Sequence, residues 1–314
     1  MLIMVRILPG KGVKKMLTGK HVVFLGGDAR QLEVIKSCTE IGARVSLVGF
    51  DNLQSPVSGA SLKELSSDLL ETADVLVLPI IGTDEKGQIS SVFTSKKLFL
   101  TPELFQSLPK HCLVFAGMAK EYLRKLCRDF GLQLIELLNR DDVAIYNSIP
   151  TVEGALMMAI QHTDITIHGS ESIVLGMGRC GLSLARVLHA IGARVKVGVR
   201  SSEHKARAFE MGIQAFDTSE LKDHVKNADL IFNTVPSLII DSTVLANVPH
   251  DVVIIDLASK PGGVDYPFAE KRGIKAILAP SLPGIVAPKT AGQILARTIT
   301  RIMKNELFRE GTVQ

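Results

Sequence analysis

With 314 residues, the chain is long enough for two domains, and its 46% hydrophobic and 22% charged residues exclude an intrinsically disordered protein. The formal net charge of +4 comes without any run of Lys and Arg interleaved with aromatic residues, so we expect no nucleic acid partner. No apolar run reaches the length that spans a membrane, so we expect no membrane partner.

The first fifteen residues differ from the sequence that follows them. They carry four Lys and Arg residues around a short apolar stretch, Leu2–Val5. A secretory signal peptide has a longer apolar segment and ends in small residues, and this segment has neither feature. Domain-like sequence begins at Met16. We therefore predict that residues 1–15 are a disordered extension, as would follow from a start codon assigned too far upstream.

Both halves of the chain carry the same pattern of elements. The segment Ile41–Val45, with the sequence IGARV, recurs 150 positions later as Ile191–Val195. The same offset carries Gly26 onto Gly176, and each of these glycines ends an apolar run. An apolar run that ends in glycine, a helix and a second apolar run form the βαβ pattern. The sequence therefore predicts two doubly wound α/β domains, Rossmann-like or flavodoxin-like, each with a parallel sheet.

Two further helices define the predicted domain organisation. Residues 150–160 are apolar nearly all round and predict a helix that begins at Pro150 and is buried as the connection between the domains. A helix near the C terminus has an apolar stripe, and we expect it to pack back on the first domain. The predicted N-terminal domain spans residues 16–147 plus the helix 290–308, and the second domain spans residues 148–289. We expect a cleft between the two.

A G-x-G-x-x-G motif follows an apolar strand of the second half and precedes a helix. In such a motif Gly176 permits the tight turn, Gly178 lets a pyrophosphate approach, and Gly181 lets the helix pack on the sheet. The N-terminus of that helix then directs its amide groups and its dipole at the phosphates. The motif therefore predicts a dinucleotide site, which also includes Met177, Arg179 and Cys180.

The end of the next strand distinguishes the two nicotinamide dinucleotides. NAD-binding folds usually place Asp or Glu there, on the ribose 2′-hydroxyl. This strand ends instead in Arg200 and Ser201, with Lys205 nearby. Guanidinium and hydroxyl groups bind a 2′-phosphate, which a carboxylate would repel. The pattern favours NADP(H), and a solvent-exposed arginine without a ligand is the alternative.

Later strand ends are predicted to complete the cofactor site, because ligands of open α/β sheets bind at the carboxyl ends of the strands. The turn after the fourth strand of this domain is expected to contact a ribose, and a plain turn is the alternative. The predicted cofactor residues in these turns are Thr234, Val235, Pro236, Leu257 and Ala258.

The glycine turn of the first half, residues 26–31, differs from a dinucleotide motif. Gln31 stands where the third glycine would be, and Asp28 would repel a diphosphate. We therefore expect a substrate-binding turn there, and the alternative is a structural turn with an exposed ion pair.

The cysteines and histidines indicate no metal site. The four cysteines form no CxxC pair, which is typical of reduced thiols in a cytosolic protein. The eight histidines form no HExxH motif, and none pairs with a cysteine at the spacing of zinc ligands.

Four long motifs in order give the sequence a specific resemblance. They are GGDARQ at residues 26–31, NSIPTVEG at 147–154, DLASKPGG at 256–263 and LPGIVAPKTAG at 282–292. Together they resemble the A-subunit family of dipicolinate synthase, from Met16 almost to the C terminus. The two-domain layout is also similar to that of D-2-hydroxyacid dehydrogenases and alanine dehydrogenases.

The resemblance implies an NADP-dependent oxidoreductase in the mother cell of a sporulating bacterium, on a branch of the lysine and diaminopimelate pathway. With the flavoprotein-like B-subunit of dipicolinate synthase as partner, it would oxidise dihydrodipicolinate, or a hydroxylated precursor, to dipicolinate. A homo-oligomer is expected as well. The alternatives are another NADP-dependent dehydrogenase of the hydroxyacid or amino-acid type, and a protein that binds NADP without catalysis.

A small dicarboxylate substrate needs cations and hydrogen-bond donors, which the motif loops contain. The candidate substrate-binding residues are Gly27, Arg30, Gln31, Asn147, Ser148, Thr151 and Lys260. The candidate catalytic residues are Glu153, Asp28 and Lys289. Either carboxylate is a candidate proton acceptor, and a capping or ion-pair role explains both equally well. Lys289 is equally consistent with a solvated residue at the start of the C-terminal helix.

Overall fold

The computed structural model describes residues 16–307, which divide into two compact units. Unit 1 comprises the residues up to Val143 and those from Pro288 onwards, and unit 2 comprises Ala144–Ala287. The predicted extension at residues 1–15 lies outside the described residues.

Unit 1 is built on a parallel six-stranded sheet. Its strands, with a separate antiparallel pair β5 and β6, are β1 (His21–Leu25), β2 (Arg44–Val48), β3 (Ala60–Leu62), β4 (Val75–Val77), β5 (Gln88–Ile89), β6 (Leu98–Phe99), β7 (Leu113–Ala116) and β8 (Gln133–Glu136). The order in the sheet is β3-β2-β1-β4-β7-β8. The helices of this unit are α1 (Ala29–Glu40), α2 (Ser67–Glu71), α3 (Pro102–Gln106) and α4 (Glu121–Phe130), joined by α12 (Pro288–Leu307).

The helix α5 (Asp141–His162) leads from unit 1 into unit 2, whose sheet also has six parallel strands. These are β9 (Glu171–Leu175), β10 (Arg194–Val199), β11 (Gln214–Asp217), β12 (Leu230–Asn233), β13 (Val253–Asp256) and β14 (Lys275–Leu278). Their order is β11-β10-β9-β12-β13-β14. The helices are α6 (Arg179–Ala190), α7 (Ser202–Glu210), α8 (Leu221–His224), α9 (Ser242–Leu245), α10 (Tyr266–Lys271) and α11 (Leu282–Val286).

Counted along its own sheet, each unit has the strand order 3-2-1-4-5-6, with all neighbouring strands parallel. This is the Rossmann order, in which the ligand crevice lies where the order reverses. The prediction of two doubly wound α/β domains is therefore confirmed, and both follow the Rossmann order rather than the flavodoxin order.

The apolar strands are buried on both faces of each sheet. Side chains of a strand alternate between faces, so Val22 and Phe24 of β1 join one core cluster while Val23 and Leu25 join another. All four are fully buried. Continuous apolar runs, rather than alternating ones, are what a parallel sheet covered on both sides requires.

The C-terminal helix packs on the first domain, as predicted. Its apolar residues Leu295, Ile299 and Met303 belong to the same core cluster as Val34 and Ile35 of α1. The two helix backbones approach closely at a single glycine of α12. A Cβ atom at that glycine, Gly292, would overlap the carbonyl oxygen of Arg30 and lie 3.0 Å from the Cβ atom of Glu33.

The connecting helix α5 begins earlier than predicted, at Asp141 rather than at Pro150, which lies inside it. Proline is common at the first position of a helix, and that preference misplaced the boundary. The acidic residues Asp141 and Asp142 in the first turn are the sequence signal for the true helix start. Around the proline, the hydroxyl groups of Ser148 and Thr151 donate hydrogen bonds to helix carbonyl groups, and both bonds are 2.7 Å long.

Burial of α5 is also less complete than predicted. Within the predicted range 150–160, Val152 and Ala155 belong to the core of unit 2, whereas Ile160 is exposed, at 65%. The prediction of a buried connecting helix therefore holds for one face only. By length and composition alone α5 could cross a membrane, a property that core helices of globular proteins share, and 39% of its most apolar window is buried.

The close approach of α12 to α1 predicts an unusual response to a glycine substitution. Gly→Ala in a helix interior ordinarily stabilises a protein by up to about 1 kcal/mol. We expect Gly292→Ala instead to lower the free energy of unfolding by about 1–3 kcal/mol, because the new methyl group must push the helices apart. Urea unfolding measures the change. Arg297→Ala at an exposed position of the same helix is the control, and equal stability of both variants would contradict the packing.

Candidate functional site

A cavity of about 650 Å³ lies at the carboxyl ends of the strands of unit 2. Its walls are the turns after β9, β10, β12 and β13 and one face of α5. This volume is typical of sites for small ligands and cofactors. Among the residues predicted to bind the cofactor, the lining includes Gly176, Met177, Gly178, Arg179, Cys180, Arg200, Ser201, Thr234, Val235, Pro236, Leu257 and Ala258.

The glycine turn after β9 forms the floor of this cavity. Gly176 has a φ of +88°, which favours glycine, and a Cβ atom there would lie 2.6 Å from the hydroxyl oxygen of Thr234. That hydroxyl group donates a 2.7 Å hydrogen bond to the carbonyl oxygen of Leu175. The turns after β9 and β12 are thereby fastened to each other at the point where the strand order reverses.

Gly178 is the N-cap residue of α6 and leaves room above the turn. Apart from the residues next to it in the chain, no heavy atom of the described residues lies within 4 Å of a Cβ atom placed on it, and no side chain caps the first turn of α6. The first amide groups of a helix need hydrogen-bond acceptors from outside the helix. The open space, the amide groups and the helix dipole together suit a diphosphate.

Gly181 was also predicted to bind the cofactor, but it does not line the cavity. A Cβ atom on it would overlap the carbonyl oxygen of Gly176 and lie 3.1 Å from the hydroxyl oxygen of Thr234. Its contribution is therefore the close packing of α6 against the turn, which places the start of the helix at the cavity.

The end of β10 brings a cation and a hydroxyl group to the far end of the cavity. Arg200 is exposed there, and Ser201 caps α7 by accepting a hydrogen bond from the amide of His204. Lys205 does not line the cavity, because its ammonium group donates a 2.9 Å hydrogen bond to the carboxylate of Asp217. That bond, together with two hydrogen bonds from Ser219, lowers the pKa of Asp217 to about 2. Of these two cations, Arg200 is therefore the one that lines the cavity.

The thiol of Cys180 lines the cavity without being suited to covalent chemistry. Burial raises the pKa of this thiol to about 11, so it stays protonated at neutral pH. The side chain is therefore a wall of the site rather than a nucleophile.

Several lining residues have no counterpart in the sequence analysis. Among them His204 lies one turn of α7 beyond the capping serine, and it could have been found by extending the search past the strand end. The others occupy the end of β10, turns and a helix face, whose positions depend on strand order. These residues are Ala144, Gly198, Val199, His204, Thr218, Ile239 and Ser259.

The predicted substrate residues of unit 2 are divided between the cavity and the surface. Ser148 and Thr151 line the cavity, and the Ser148 hydroxyl lies 2.8 Å from that of Ser183 on α6. The side-chain oxygen of Asn147 is buried and has no hydrogen-bond partner among the described residues. Lys260 and the candidate catalytic residue Glu153 are exposed and do not line the cavity.

The predicted substrate residues of unit 1 gather at the carboxyl end of β1. Asp28 caps α1 by accepting a hydrogen bond from the amide of Arg30, and the two side chains form an ion pair of 2.5 Å. Burial raises the pKa of Asp28, but the hydrogen bonds and charge of Arg30 outweigh it and hold that pKa below its usual range. A proton acceptor at neutral pH needs a higher pKa. The geometry thus matches the ion-pair alternative for Asp28.

The glycine turn of unit 1 is covered by the chain itself. The amide of Gly27 donates to the carbonyl of Ser90, and the amide of Val92 donates to the carbonyl of Gly27. Gln31 is buried under the turn and donates a 3.0 Å hydrogen bond to the carbonyl of Leu78. A diphosphate has no open face to approach here, in contrast to the turn of unit 2.

Lys289, the third candidate catalytic residue, is exposed and is the second residue of α12. Its position matches the alternative of a solvated residue in the first turn of the helix. Within residues 16–307, no three side chains of His, Cys, Asp or Glu gather at a spacing that could hold a metal ion.

Comparison with known proteins relates both units to described families. Residues 21–138 match the model of the N-terminal domain of the dipicolinate synthase A-subunit, and residues 147–313 match that of the alanine dehydrogenase/PNT C-terminal domain. The dipicolinate synthase A-subunit of Bacillus subtilis (strain 168) is 49% identical over 296 residues, which are 94% of this chain and 100% of the relative.

Solved structures agree with these matches. The crystal structure of the dipicolinate synthase A-subunit from Bacillus halodurans has 49% identity and a TM-score of 0.89, and covers 92% of this chain and 99% of its own. Transhydrogenase from Sinorhizobium meliloti is 15% identical, with a TM-score of 0.64 over 91% of this chain and 94% of its own, so it shows the shared fold alone. The dehydrogenase-type domain of unit 2 implies a nicotinamide dinucleotide cofactor.

Two glycines of the motif predict contrasting variants. Gly178→Ala places a methyl group in open space, so we expect an unchanged melting temperature but a dinucleotide affinity lower by about tenfold, because the methyl group occupies the diphosphate position. Gly181→Ala places its methyl group against the backbone of the turn, so we expect both the melting temperature and the affinity to fall. Thermal unfolding and titration with NADPH measure the two effects. If Gly178→Ala binds NADPH with unchanged affinity, the diphosphate does not bind at this turn.

Proposed function

Since this chain belongs to the A-subunit family of dipicolinate synthase, we propose that it catalyses the NADP-dependent oxidation of dihydrodipicolinate, or of a hydroxylated precursor, to dipicolinate. The observation that carries the proposal is the cavity of unit 2, in which the glycine turn, the uncapped start of α6 and the Arg200 turn line one continuous space. The relative is named as one subunit of a synthase, which supports a partner, and we propose the B-subunit in that role. The proposed location is the cytoplasm of the mother cell of a sporulating bacterium.

The residues of the cavity fit NADP at two points. The open space at Gly178 and the amide groups of α6 would hold the pyrophosphate. Arg200 and Ser201 would hold the 2′-phosphate, where an NAD-binding fold usually has a carboxylate. When bound, NADP⁺ would supply the acceptor for the hydride that leaves the substrate ring.

Oxidation of the dihydropyridine ring removes one hydride and one proton and makes the ring aromatic. Because the gain of aromaticity provides much of the driving force, the main task of the protein is to position the ring. We propose that Ser148 and Thr151, which line the cavity, bind the substrate by turning their hydroxyl groups away from the helix carbonyl groups of Ile145 and Asn147. Arg30, in unit 1, and Lys260, in unit 2, are proposed as cations for its carboxylates. A substrate role for Asn147, Gly27 and Gln31 stays a prediction, because the chain itself covers the turn that contains Gly27 and Gln31.

The candidate proton acceptors differ in their surroundings. Asp28 is the weaker of the two carboxylate candidates, because Arg30 holds its pKa low and occupies its oxygens. Glu153 and Lys289 are exposed, and their catalytic role stays a prediction.

The cofactor preference makes a direct prediction. We expect Arg200→Ala to weaken NADPH binding by about 10- to 100-fold, the value of a hydrogen-bonded charge, and to leave NADH binding unchanged. Arg194→Ala is a matched control, because Arg194 is an exposed arginine at the opposite end of the same strand and pairs with Glu171. Equal losses for NADPH and NADH in Arg200→Ala would contradict a 2′-phosphate site.

A coupled assay tests the reaction itself. Freshly made dihydrodipicolinate precursor and NADP⁺ are added to the protein, alone and with the B-subunit, and NADPH and dipicolinate are followed. Stoichiometric formation of both, with poor use of NAD⁺, is the expected result. If neither product forms even with the B-subunit, while NADPH still binds, the catalytic proposal is wrong and only the dinucleotide site stands.

A further inference from the structure

Behind the cavity lies a buried carboxylate with four hydrogen-bond donors. Asp256, the last residue of β13, is fully buried. One of its oxygens accepts hydrogen bonds from the side-chain amide of Asn233 (2.9 Å) and the backbone amide of Ala258 (3.0 Å). The other accepts from the backbone amide of Gly263 (2.7 Å) and the hydroxyl group of Tyr266 (2.8 Å). Every contact to the carboxylate thus comes from a donor.

Asn233 is the register partner of this aspartate on the neighbouring strand β12 and is also fully buried. Its side chain holds the turn that follows β12 through two hydrogen bonds, each 3.0 Å long. The side-chain oxygen accepts from the backbone amide of Val235, and the side-chain amino group donates to the carbonyl of Val235. The same amino group reaches Asp256. One amide side chain therefore connects the turn after β12 to the loop after β13.

The loop after β13 packs closely against the side chains of Asp256 and Asn233. A Cβ atom on Gly262, which has a φ of +93°, would lie 2.5 Å from the carboxylate of Asp256. A Cβ atom on Gly263 would overlap the side-chain amide of Asn233. Burial, together with the hydrogen bond to Asp256, raises the pKa of Tyr266, so this hydroxyl group stays protonated as a donor.

A buried carboxylate is costly to a fold unless all of its hydrogen bonds are satisfied, and an apolar residue could fill the same space. Here the network joins the two turns that form one wall of the cavity. The turn after β12 contributes Thr234, Val235 and Pro236 to that wall, and the loop after β13 contributes Leu257, Ala258 and Ser259. The position of the network therefore points to the site rather than to the core alone.

The wall in question faces one half of a dinucleotide. In the proposed function the pyrophosphate lies at Gly178 and the adenosine half extends toward Arg200, at the end of β10. The sheet order places β12 and β13 on the other side of β9. A dinucleotide in a Rossmann fold crosses the sheet where the strand order reverses, so its nicotinamide half extends toward β12 and β13.

We infer that Asn233, Asp256 and Tyr266 form a brace that positions the nicotinamide half of the dinucleotide, by holding the turn after β12 and the loop after β13 at a fixed separation. The three are positioning residues, because only their neighbours line the cavity. This inference rests on the cofactor of the proposed function but not on its substrate.

The experiment compares a whole dinucleotide with its adenine half. Dissociation constants for NADPH and for 2′,5′-ADP are measured by calorimetric titration of the full-length protein and of Tyr266→Phe, which removes one donor from the brace. We expect NADPH binding to weaken by about fivefold, the value of one hydrogen bond, while 2′,5′-ADP binding stays within about twofold. The fluorescence of bound NADPH, which reports on the nicotinamide, should change as well.

Tyr122→Phe is the matched control. Tyr122 is a partly buried tyrosine of unit 1, and its hydroxyl group also donates a single hydrogen bond, to the carbonyl of Leu100. It should lower the melting temperature about as much as Tyr266→Phe and affect neither ligand. Asp256→Asn is the stronger variant, because an amide group there would face donors, and it should weaken NADPH binding further with the same selectivity.

The outcomes separate the brace from the proposed function. If Tyr266→Phe and Asp256→Asn bind NADPH as the unaltered protein does, the brace is overturned and the cofactor stands. If both ligands weaken in parallel, the network supports the whole site and the assignment to the nicotinamide half is overturned. If the unaltered protein binds 2′,5′-ADP but not NADPH, both the brace and the proposed NADP cofactor are wrong. A failed coupled assay with normal NADPH binding leaves the brace intact.

Discussion

The site of unit 2 depends on one close contact, between the glycine at the start of α6 and the turn after β9. Because Gly181 has no side chain, the helix backbone can lie directly on the carbonyl of Gly176. This contact brings the uncapped amide groups of α6 to the carboxyl edge of the sheet. Thr234 then fastens the turn after β12 to the same point through its hydrogen bond to Leu175. Three elements thus converge where the strand order reverses, and the cavity is the space that they enclose.

The two units show how one fold can keep or lose such a site. Their sheets have the same strand order, and the glycine after the first strand has a positive φ in both, at Gly26 and Gly176. In unit 1, however, the backbone of Ser90–Val92 is hydrogen-bonded to the turn, and Gln31 fills the space below it. Fold alone therefore does not imply function, and the atoms next to the turn decide whether a diphosphate has access.

The sequence predicts what depends on neighbouring residues and misses what depends on distant ones. Apolar runs that end in glycine identify the strands, and the glycine motif identifies the turn, because both signals lie within a few positions. The start of α5 was misplaced because Pro150 gives a stronger local signal than the two aspartates at its true start. Asp256 follows an apolar run, and nothing in the neighbouring sequence predicts the four donors that bind its carboxylate. Asn233 and Tyr266 reach it only through strand pairing and loop closure.

Charge balance at the end of β10 supports the proposed preference for NADP. Asp217 is the register partner of Val199, and as an isolated carboxylate it would oppose a 2′-phosphate nearby. Lys205 neutralises it through a direct hydrogen bond, so the two side chains together contribute no net charge. Within residues 16–307 no ion pair engages Arg200, which leaves its charge available at the cavity. The basic character of this turn therefore comes from one arginine and the N-terminus of α7, and the proposed preference for NADP depends on that arginine rather than on a cluster of cations.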